Sequence, residues 1–565
     1  MRKTRINRDS ESSSLLFCYP IRLMGTPDLI LKNGLIIDGT GRPGVPGDVA
    51  IRRNWILAID VPDSLTGAPE ELDCKGLVIA PGFIDTHSHS DIRVLTEPEL
   101  PMKVRQGITL EIFGQDGISV APVRASDRAQ VEQQLAGLDG RLGREWEWES
   151  VAEYLDAIER AQPSIDCAYL IPHGQVRLHA MGMEDRRATT REITAMQALI
   201  RQSMREGALG LSTGLIYPPC CFADTAELIE LARAVAEFDG IFVAHMRSES
   251  DYLADSVAEM IEIGKASGAR VHISHFKVAG RENWGVIDGV LETIHRAQAD
   301  GLRLTADQYP YIAGSTMLSA ILPPWAHAGG VEATMARLAS EVERGRMLSA
   351  MLGRSPSHWD NFWKWSGPEG IVVSDIASGR HPEWTGKTLA DAAALEKGTD
   401  AVSEETAGEF ALDLLAEERM GVGMISFSQS EDVVRKIMRE PYVNVCTDGL
   451  LGGKPHPRAY GTYPRILGCY VKDQKVLALE EAVRKISGLA ADTFQLSGYG
   501  VIAEGMQANL VVFDPQRVID LATFADSKQY PEGIEHVILE GQTVVRYGEP
   551  YLAGCGVAVR RSDSE

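Results

Sequence analysis

Between Pro27 and Leu77 short apolar runs alternate with turn residues: Leu29-Ile30-Leu31, then Asn33-Gly34, then Leu35-Ile36-Ile37. Runs of this length with such punctuation predict strands, and Asn-Gly predicts a hairpin between two of them. The style returns near the other end, in Leu510-Val511-Val512-Phe513, Val537-Ile538-Leu539 and Thr543-Val544-Val545. Strand-rich segments at both ends predict one small β domain assembled from residues 27–80 and 499–556.

The middle changes rhythm. Apolar strands alternate with amphipathic helices, the pattern of βα units and of an α/β fold. Ile108–Phe113, Ala168–Ile171, Ile241–His245, Val271–His275, Leu302–Asp307 and Val443–Asp448 mostly lead into polar residues where the strand stops, which is where barrel enzymes keep their chemistry. Residues 81–322 and 424–498 are therefore expected to form the catalytic body. Between them, 323–423 loses the rhythm and carries Trp325, Trp359, Trp363, Trp365 and Trp384, as a lid or inserted subdomain would.

The stretch Leu77 to Asp91 holds the first chemical signal. Its apolar start reads as a short buried strand, and side chains two apart on a strand share a side, so His87 and His89 aim at one point, with Asp85 and Asp91 beside them. His245, His275 and Asp448 lie at further strand ends. Imidazoles and a carboxylate suit zinc, and a catalytic zinc keeps a position open for water, whose pKa it brings to about 7.

Charge and composition narrow the partners. The 565 residues contain 56 basic and 79 acidic side chains, a formal charge of −23, which argues against nucleic acid and anionic membrane. No apolar run approaches the roughly 18 to 20 residues of a membrane span. Eight scattered cysteines with no C-x-x-C pair oppose a disulfide framework and a thiolate zinc site, and fit the cytoplasm. Residues 1–26 carry only the short apolar run Leu15-Leu16-Phe17, too little for a signal peptide, and are expected to be a disordered tail.

Four longer motifs carry a resemblance: Pro81-Gly82-Phe83-Ile84-Asp85-Thr86-His87-Ser88-His89-Ser90-Asp91; Gly207-Ala208-Leu209-Gly210-Leu211-Ser212-Thr213-Gly214-Leu215-Ile216-Tyr217-Pro218-Pro219; Asp307-Gln308-Tyr309-Pro310-Tyr311-Ile312-Ala313-Gly314-Ser315-Thr316; and His456-Pro457-Arg458-Ala459-Tyr460-Gly461-Thr462. From about Asp28 to Gly548 the chain resembles the amidohydrolase superfamily and, within it, the N-acyl-D-amino-acid deacylases. The resemblance implies a (β/α)8 TIM-like barrel with a β-sandwich domain built from both termini. It implies metal-dependent hydrolysis of an N-acyl amide to a carboxylate and a free D-amino acid, with one or two Zn2+ ions, or Mn2+, per chain. By position, His87, His89 and Asp448 would form one metal locus, and His245 and His275 the other, with Asp448 also the general base and acid.

One departure stands out. Where those deacylases carry a cysteine in a G-N-C-G pattern, this chain has Gly114-Gln115-Asp116-Gly117. Asp116 is expected to ligate in the cysteine's place, its harder oxygen favouring manganese more than a thiolate does, with Glu111 as the alternative. No lysine occurs between Lys103 and Lys265, so the carboxylated-lysine bridge of cyclic-amide amidohydrolases is unavailable. For a substrate α-carboxylate the resemblance points to Arg458, with Tyr309 and Ser315 as hydrogen-bond partners; Lys277 is a further cation for the same pocket. His173 either lines the site or serves packing. Two other readings stay open: a hydrolase of another linear amide or dipeptide, and a non-catalytic barrel. The resemblance implies a small-molecule N-acyl amino acid as the partner.

Overall fold

The computed structural model describes residues 25–354 and 359–561, so the expected tail lies outside the described residues except for its last two. Three strands, β1 (Phe83–Asp85), β2 (Ile108–Phe113) and β3 (Asp166–Tyr169), pair in parallel. Beyond Leu170, β3 resumes as Ile171–Pro172 and continues the parallel order through β4 (Gly210–Gly214), β5 (Ile241–His245), β6 (Arg270–Ile273), β7 (Leu304–Gln308) and β8 (Val443–Val445). The ring closes where the chain past β8 meets the chain past β1: Asp448 N–H donates to the His87 carbonyl at 2.8 Å, and Ser88 bridges Gly449 in parallel. The result is an eight-stranded parallel barrel.

Parallel strands covered on both faces are mostly apolar, and in β2 Leu110 and Ile112 join one apolar cluster and Ile108 and Phe113 another, while buried Glu111 is the charged exception. The outer layer is helical. Val151–Ala161 and Thr190–Arg205 each begin with a capping box, Ser150 with Glu153 and Thr189 with Glu192, which satisfies amide donors that the first turn leaves unpaired.

Strands from both ends of the chain form one nine-stranded sheet, in which Leu510–Phe513 lies antiparallel to Val78–Pro81. It encloses its own core of Leu31, Val49, Ile51, Ile79, Leu510 and Ile538. The expected hairpin at Asn33-Gly34 does not form. A single strand, Leu29–Ile36, runs through it with a register shift, because Asn33 takes φ +62° and gives its N–H to the Asp48 carboxylate at 2.8 Å. The same left-handed tolerance that makes hairpins here makes a bulge.

The inserted region has an antiparallel sheet of Ala313–Met317, Val422–Phe427 and Ile371–Ile376, so its first strand starts ahead of Pro323. Helices Val331–Leu338, Glu341–Met351, Leu389–Lys397 and Glu404–Glu417 pack on it around Trp363, Phe410 and Met424. Among the described residues no helix is long and apolar enough to cross a membrane.

Candidate metal centre

Six side chains named from the sequence meet at the C-terminal mouth of the barrel. His87 and His89 follow β1, Asp116 lies in the turn after β2, His245 ends β5, and His275 and Asp448 lie just past β6 and β8. All six are buried. Asp116 is the hub: its carboxylate oxygens lie 3.6 Å from His87 Nε2, 3.6 Å from His89 Nε2, 3.5 Å from His275 Nε2 and 4.0 Å from His245 Nδ1. Asp448 Oδ1 lies 3.5 Å from His89 Nε2 and 3.8 Å from His87 Nε2. The two loci expected from the sequence are therefore joined. His87, His89 and Asp448 form one group able to hold a metal, His87, Asp116 and His275 a second, and His245, Glu249 and His275 a third.

The backbone is bent to bring them there. Asp116, His275 and Asp448 take φ of +56°, +36° and +48°, a region that non-glycine residues rarely adopt and that collects at functional sites. The turn Gly114-Gln115-Asp116-Gly117 needs its first glycine: Gly114 has φ +77°, and a Cβ there would meet the Leu170 carbonyl at 2.0 Å. Gln115 ties the turn to β1 by donating to the Thr86 carbonyl at 2.7 Å. Beneath His275, Asp307 accepts its N–H, takes a hydroxyl bond from Thr86 at 2.8 Å, and faces His272 Nε2 at 3.0 Å.

The donors fit a metal ion. Both ring nitrogens of His87, Nδ1 of His89, Nε2 of His245 and Oδ1 of Asp116 are buried without a hydrogen-bond partner among the described residues, a state that buried polar atoms rarely hold without an ion or water. Nitrogen and carboxylate donors without thiolate suit zinc or manganese. The electrostatics agree. Burial opposes a charge on His89, but Asp116 and Asp448 outweigh it and raise its pKa to about 10; burial and Lys277 oppose a charge on His275, yet Glu249 and Asp116 raise it to about 9. Burial takes His245 down to about 4. Three carboxylates thus draw positive charge into this mouth.

Glu249 was not among the expected residues. It follows His245 by four, lies 3.1 Å from His275 Nδ1 and 3.6 Å from His245 Nε2, and holds the Lys277 ammonium at 2.6 and 2.7 Å. Its loop is gripped by the insertion: buried Asp360 accepts from the Ser248 hydroxyl (2.6 Å), the Ser250 hydroxyl (2.7 Å) and the Glu249 N–H (2.7 Å), and Lys364 pairs with Asp251 at 2.6 Å.

The remaining expectations divide. Arg458 is fully buried; its Nη1 lies 2.9 Å from Asp448 Oδ2, its Nη2 donates to the Ser315 carbonyl at 2.9 Å, and its guanidinium stacks 4.5 Å over Tyr309. Burial works to raise the Asp448 carboxyl, but Arg458 and His89 hold it far below the carboxylate range. Tyr309, Ser315 and Lys277 line the same cleft as His89, Asp116, His245 and Asp448, although the Ser315 hydroxyl is engaged with the Met424 carbonyl at 2.8 Å. Glu111 is elsewhere. The cation it meets is the buried Lys103 ammonium, which also bonds Asp85 at 3.0 Å and Ser88 at 2.8 Å. His173 is buried between Thr213 (2.9 Å) and Glu227 (3.1 Å), the latter also paired with Arg177. The adjacent Cys220 and Cys221 are not joined.

The Amidohydrolase family pattern matches residues 70–545. A D-aminoacylase of Alcaligenes xylosoxydans xylosoxydans is 34% identical over 519 residues, 92% of this chain and 94% of its own. An N-acyl-D-glutamate deacylase of the same organism is 34% identical over 526 residues, 93% and 94% of the two chains. The crystal structure of an N-acyl-D-glutamate deacylase from Bordetella bronchiseptica, complexed with zinc and a phosphonate mimic of the tetrahedral intermediate, superposes with a TM-score of 0.78 at 31% identity, covering 95% of this chain and all of the other.

Proposed function

Since the chain belongs to the amidohydrolase family, we propose that it hydrolyses N-acyl-D-amino acids to a carboxylate and a free D-amino acid at a metal centre held by His87, His89, Asp116, His245, His275 and Asp448. The observation that carries the reading is the placement of Asp448 between those histidines and the buried guanidinium of Arg458. When bound, zinc or manganese supplies Lewis acidity at the amide carbonyl and lowers the pKa of water. The Bordetella relative's zinc and the thiolate-free donor set support that choice of ion.

The chain's own groups account for the rest. Asp448, kept ionised by Arg458, can accept a proton on its carboxylate from the attacking water and then deliver it to the amine nitrogen, so that the C–N bond breaks with a neutral leaving group. With Nη1 on Asp448 and Nη2 on the Ser315 carbonyl, Arg458 keeps its buried Nε–H, without a partner among the described residues, as the donor for an α-carboxylate. Tyr309 accepts from Gln429 at 2.9 Å, which leaves its own proton for the same carboxylate. Lys277, 5.7 Å over the Tyr309 ring, adds positive charge while Glu249 fixes its position. The small-molecule substrate and the free cysteines support a cytoplasmic enzyme.

Paired N-acetyl-D- and N-acetyl-L-amino acids, offered to the chelated protein and again after zinc or manganese is restored, test the reading. Metal-restored cleavage of the D series alone is expected. Cleavage of neither series by metal-loaded protein would transfer the weight to another amide or to a non-catalytic barrel.

A further inference from the structure

A second cavity adjoins the metal cleft and enters none of the chemistry above. Its volume is about 120 Å³, against about 40 Å³ for the cleft itself, which is room for a short side chain or acyl chain. Tyr217 lines both. Its ring lies 5.4 Å from the His245 ring, and its hydroxyl meets that of Thr316 at 2.8 Å, so the two spaces share one aromatic wall.

The second space is lined mostly by apolar side chains, with neutral donors among them: Gln130 Nε2 and Trp359 Nε1 are buried without a partner among the described residues. Met183, Leu215, Ile216, Met317, Leu322 and Met420 supply much of its lining, three of them methionines able to adapt to an apolar guest. Among the described lining residues the one arginine or lysine is Arg247, and its charge is already matched: Nε and Nη2 bond Glu259 at 3.0 and 2.9 Å. His327 is neutral, since burial takes its pKa down to about 4, and its Nε2 faces the Ser319 carbonyl. Asp360, also in the lining, is acidic and has its oxygens filled by Ser248, Ser250 and the Glu249 N–H. A carboxylate entering here would lose water and gain no cation.

We infer that this cavity receives an uncharged apolar substituent of the substrate and that the enzyme selects against an acidic group at that position. The inference rests on the deacylase reading and adds to it what identity does not decide, because the D-aminoacylase and the N-acyl-D-glutamate deacylase are equally similar to this chain at 34%. The substituent is either the amino-acid side chain or the acyl chain, which share this chemistry.

Two substrate series on the zinc-loaded enzyme separate them. One holds the acetyl group and runs D-alanine, D-norvaline, D-norleucine and D-glutamate. The other holds D-alanine and runs acetyl, butanoyl, hexanoyl and glutaryl. In the series whose variable group enters the cavity, kcat/KM should rise about four-fold per methylene, the ratio that about 0.8 kcal/mol per buried CH2 represents. The acidic member of that series should fall about 10-fold or more below its uncharged counterpart, as a buried charge met by neutral donors and no cation requires. Met183→Arg, at the half-buried edge, should raise the ratio of acidic to apolar substrate about ten-fold or more by supplying the missing cation. Flat series, or preference for the acidic member, with N-acetyl-D-alanine still cleaved, would overturn the inference and leave the deacylase reading intact. If no N-acyl-D-amino acid is cleaved, that reading fails, and calorimetry of the same compounds on the same holoenzyme still decides the cavity: tighter binding of the apolar members supports the inference, and equal or tighter binding of the acidic ones refutes it.

Discussion

Replacing Arg458 by alanine should do two separable things. The guanidinium is fully buried, with Nη1 on Asp448 and Nη2 on the Ser315 carbonyl, and its Nε–H is unpartnered among the described residues. A charge-assisted bond to a substrate carboxylate contributes about 1.5–3 kcal/mol, so Arg458→Ala should lower kcat/KM for N-acetyl-D-alanine about 10- to 150-fold, mainly through KM. N-acetyl-D-alaninamide lacks that carboxylate and should lose far less. The second effect is on Asp448. Burial pushes its carboxyl up and Arg458 leads the groups that hold it down, so without the guanidinium the pKa rises and the acidic limb of the kcat profile moves to higher pH. Arg458→Lys keeps the charge without the fork and should fall between wild type and alanine. Steady-state kinetics on both substrates across pH, with metal content measured alongside, checks each part. Equal losses on acid and amide at full metal content would refute carboxylate recognition by this residue, and an unmoved acidic limb would refute its hold on Asp448.

Three further outcomes follow from the same geometry. Asp116→Ala removes the carboxylate that faces all four histidines and should reduce zinc affinity beyond the roughly 10- to 100-fold of an outer-shell loss, while Asp116→Cys retains metal; full metal in the alanine variant by elemental analysis would end the assignment. Lys103→Met leaves buried Asp85 and Glu111 without their cation and should cost about 3–5 kcal/mol in denaturant titration, part of it recovered by adding Glu111→Leu; an unchanged midpoint would contradict this. Burial and the nearby Glu540 raise Asp166 to about 8, so the folded state holds that proton more tightly than the unfolded state. Its contribution is whole below the ordinary carboxyl value and is lost as pH rises through about 8. Stability should therefore decline over that window less steeply in Asp166→Asn than in wild type, and parallel curves would refute the shift.

The barrel was legible where apolar runs end in a candidate ligand. Ile241–His245 reads as a strand and ends on an imidazole, and the structure keeps both bounds. Gly210-Leu211-Ser212-Thr213-Gly214 is a strand of the same ring without an apolar pattern; parallel neighbours on both sides make it one, and those pairings are not local. Asn33-Gly34 misled because one left-handed residue serves a bulge as well as a turn, and the choice was made by Asp48, distant in sequence. Glu249 stayed hidden for a similar reason. Within Arg247-Ser248-Glu249-Ser250-Asp251 an acid reads as solvated surface, and Lys277, His275 and Asp360, from other elements, turn it inward. The signal that could have found it is its spacing of four from His245 at a strand end.

The grip of Asp360 and Lys364 on the loop after β5 limits what can be recombined in this architecture. An inserted segment that only roofed a pocket could be exchanged between relatives to transfer substrate preference, with the catalytic body left as it was. Here the segment also supplies the acceptors that seat Ser248, Glu249 and Ser250, and through Glu249 it fixes His275 and Lys277. A chimera that carries a foreign insertion without a carboxylate at this place would inherit a new pocket and a misaligned centre together. Grafts should cross over so that Asp360 travels with the loop it holds.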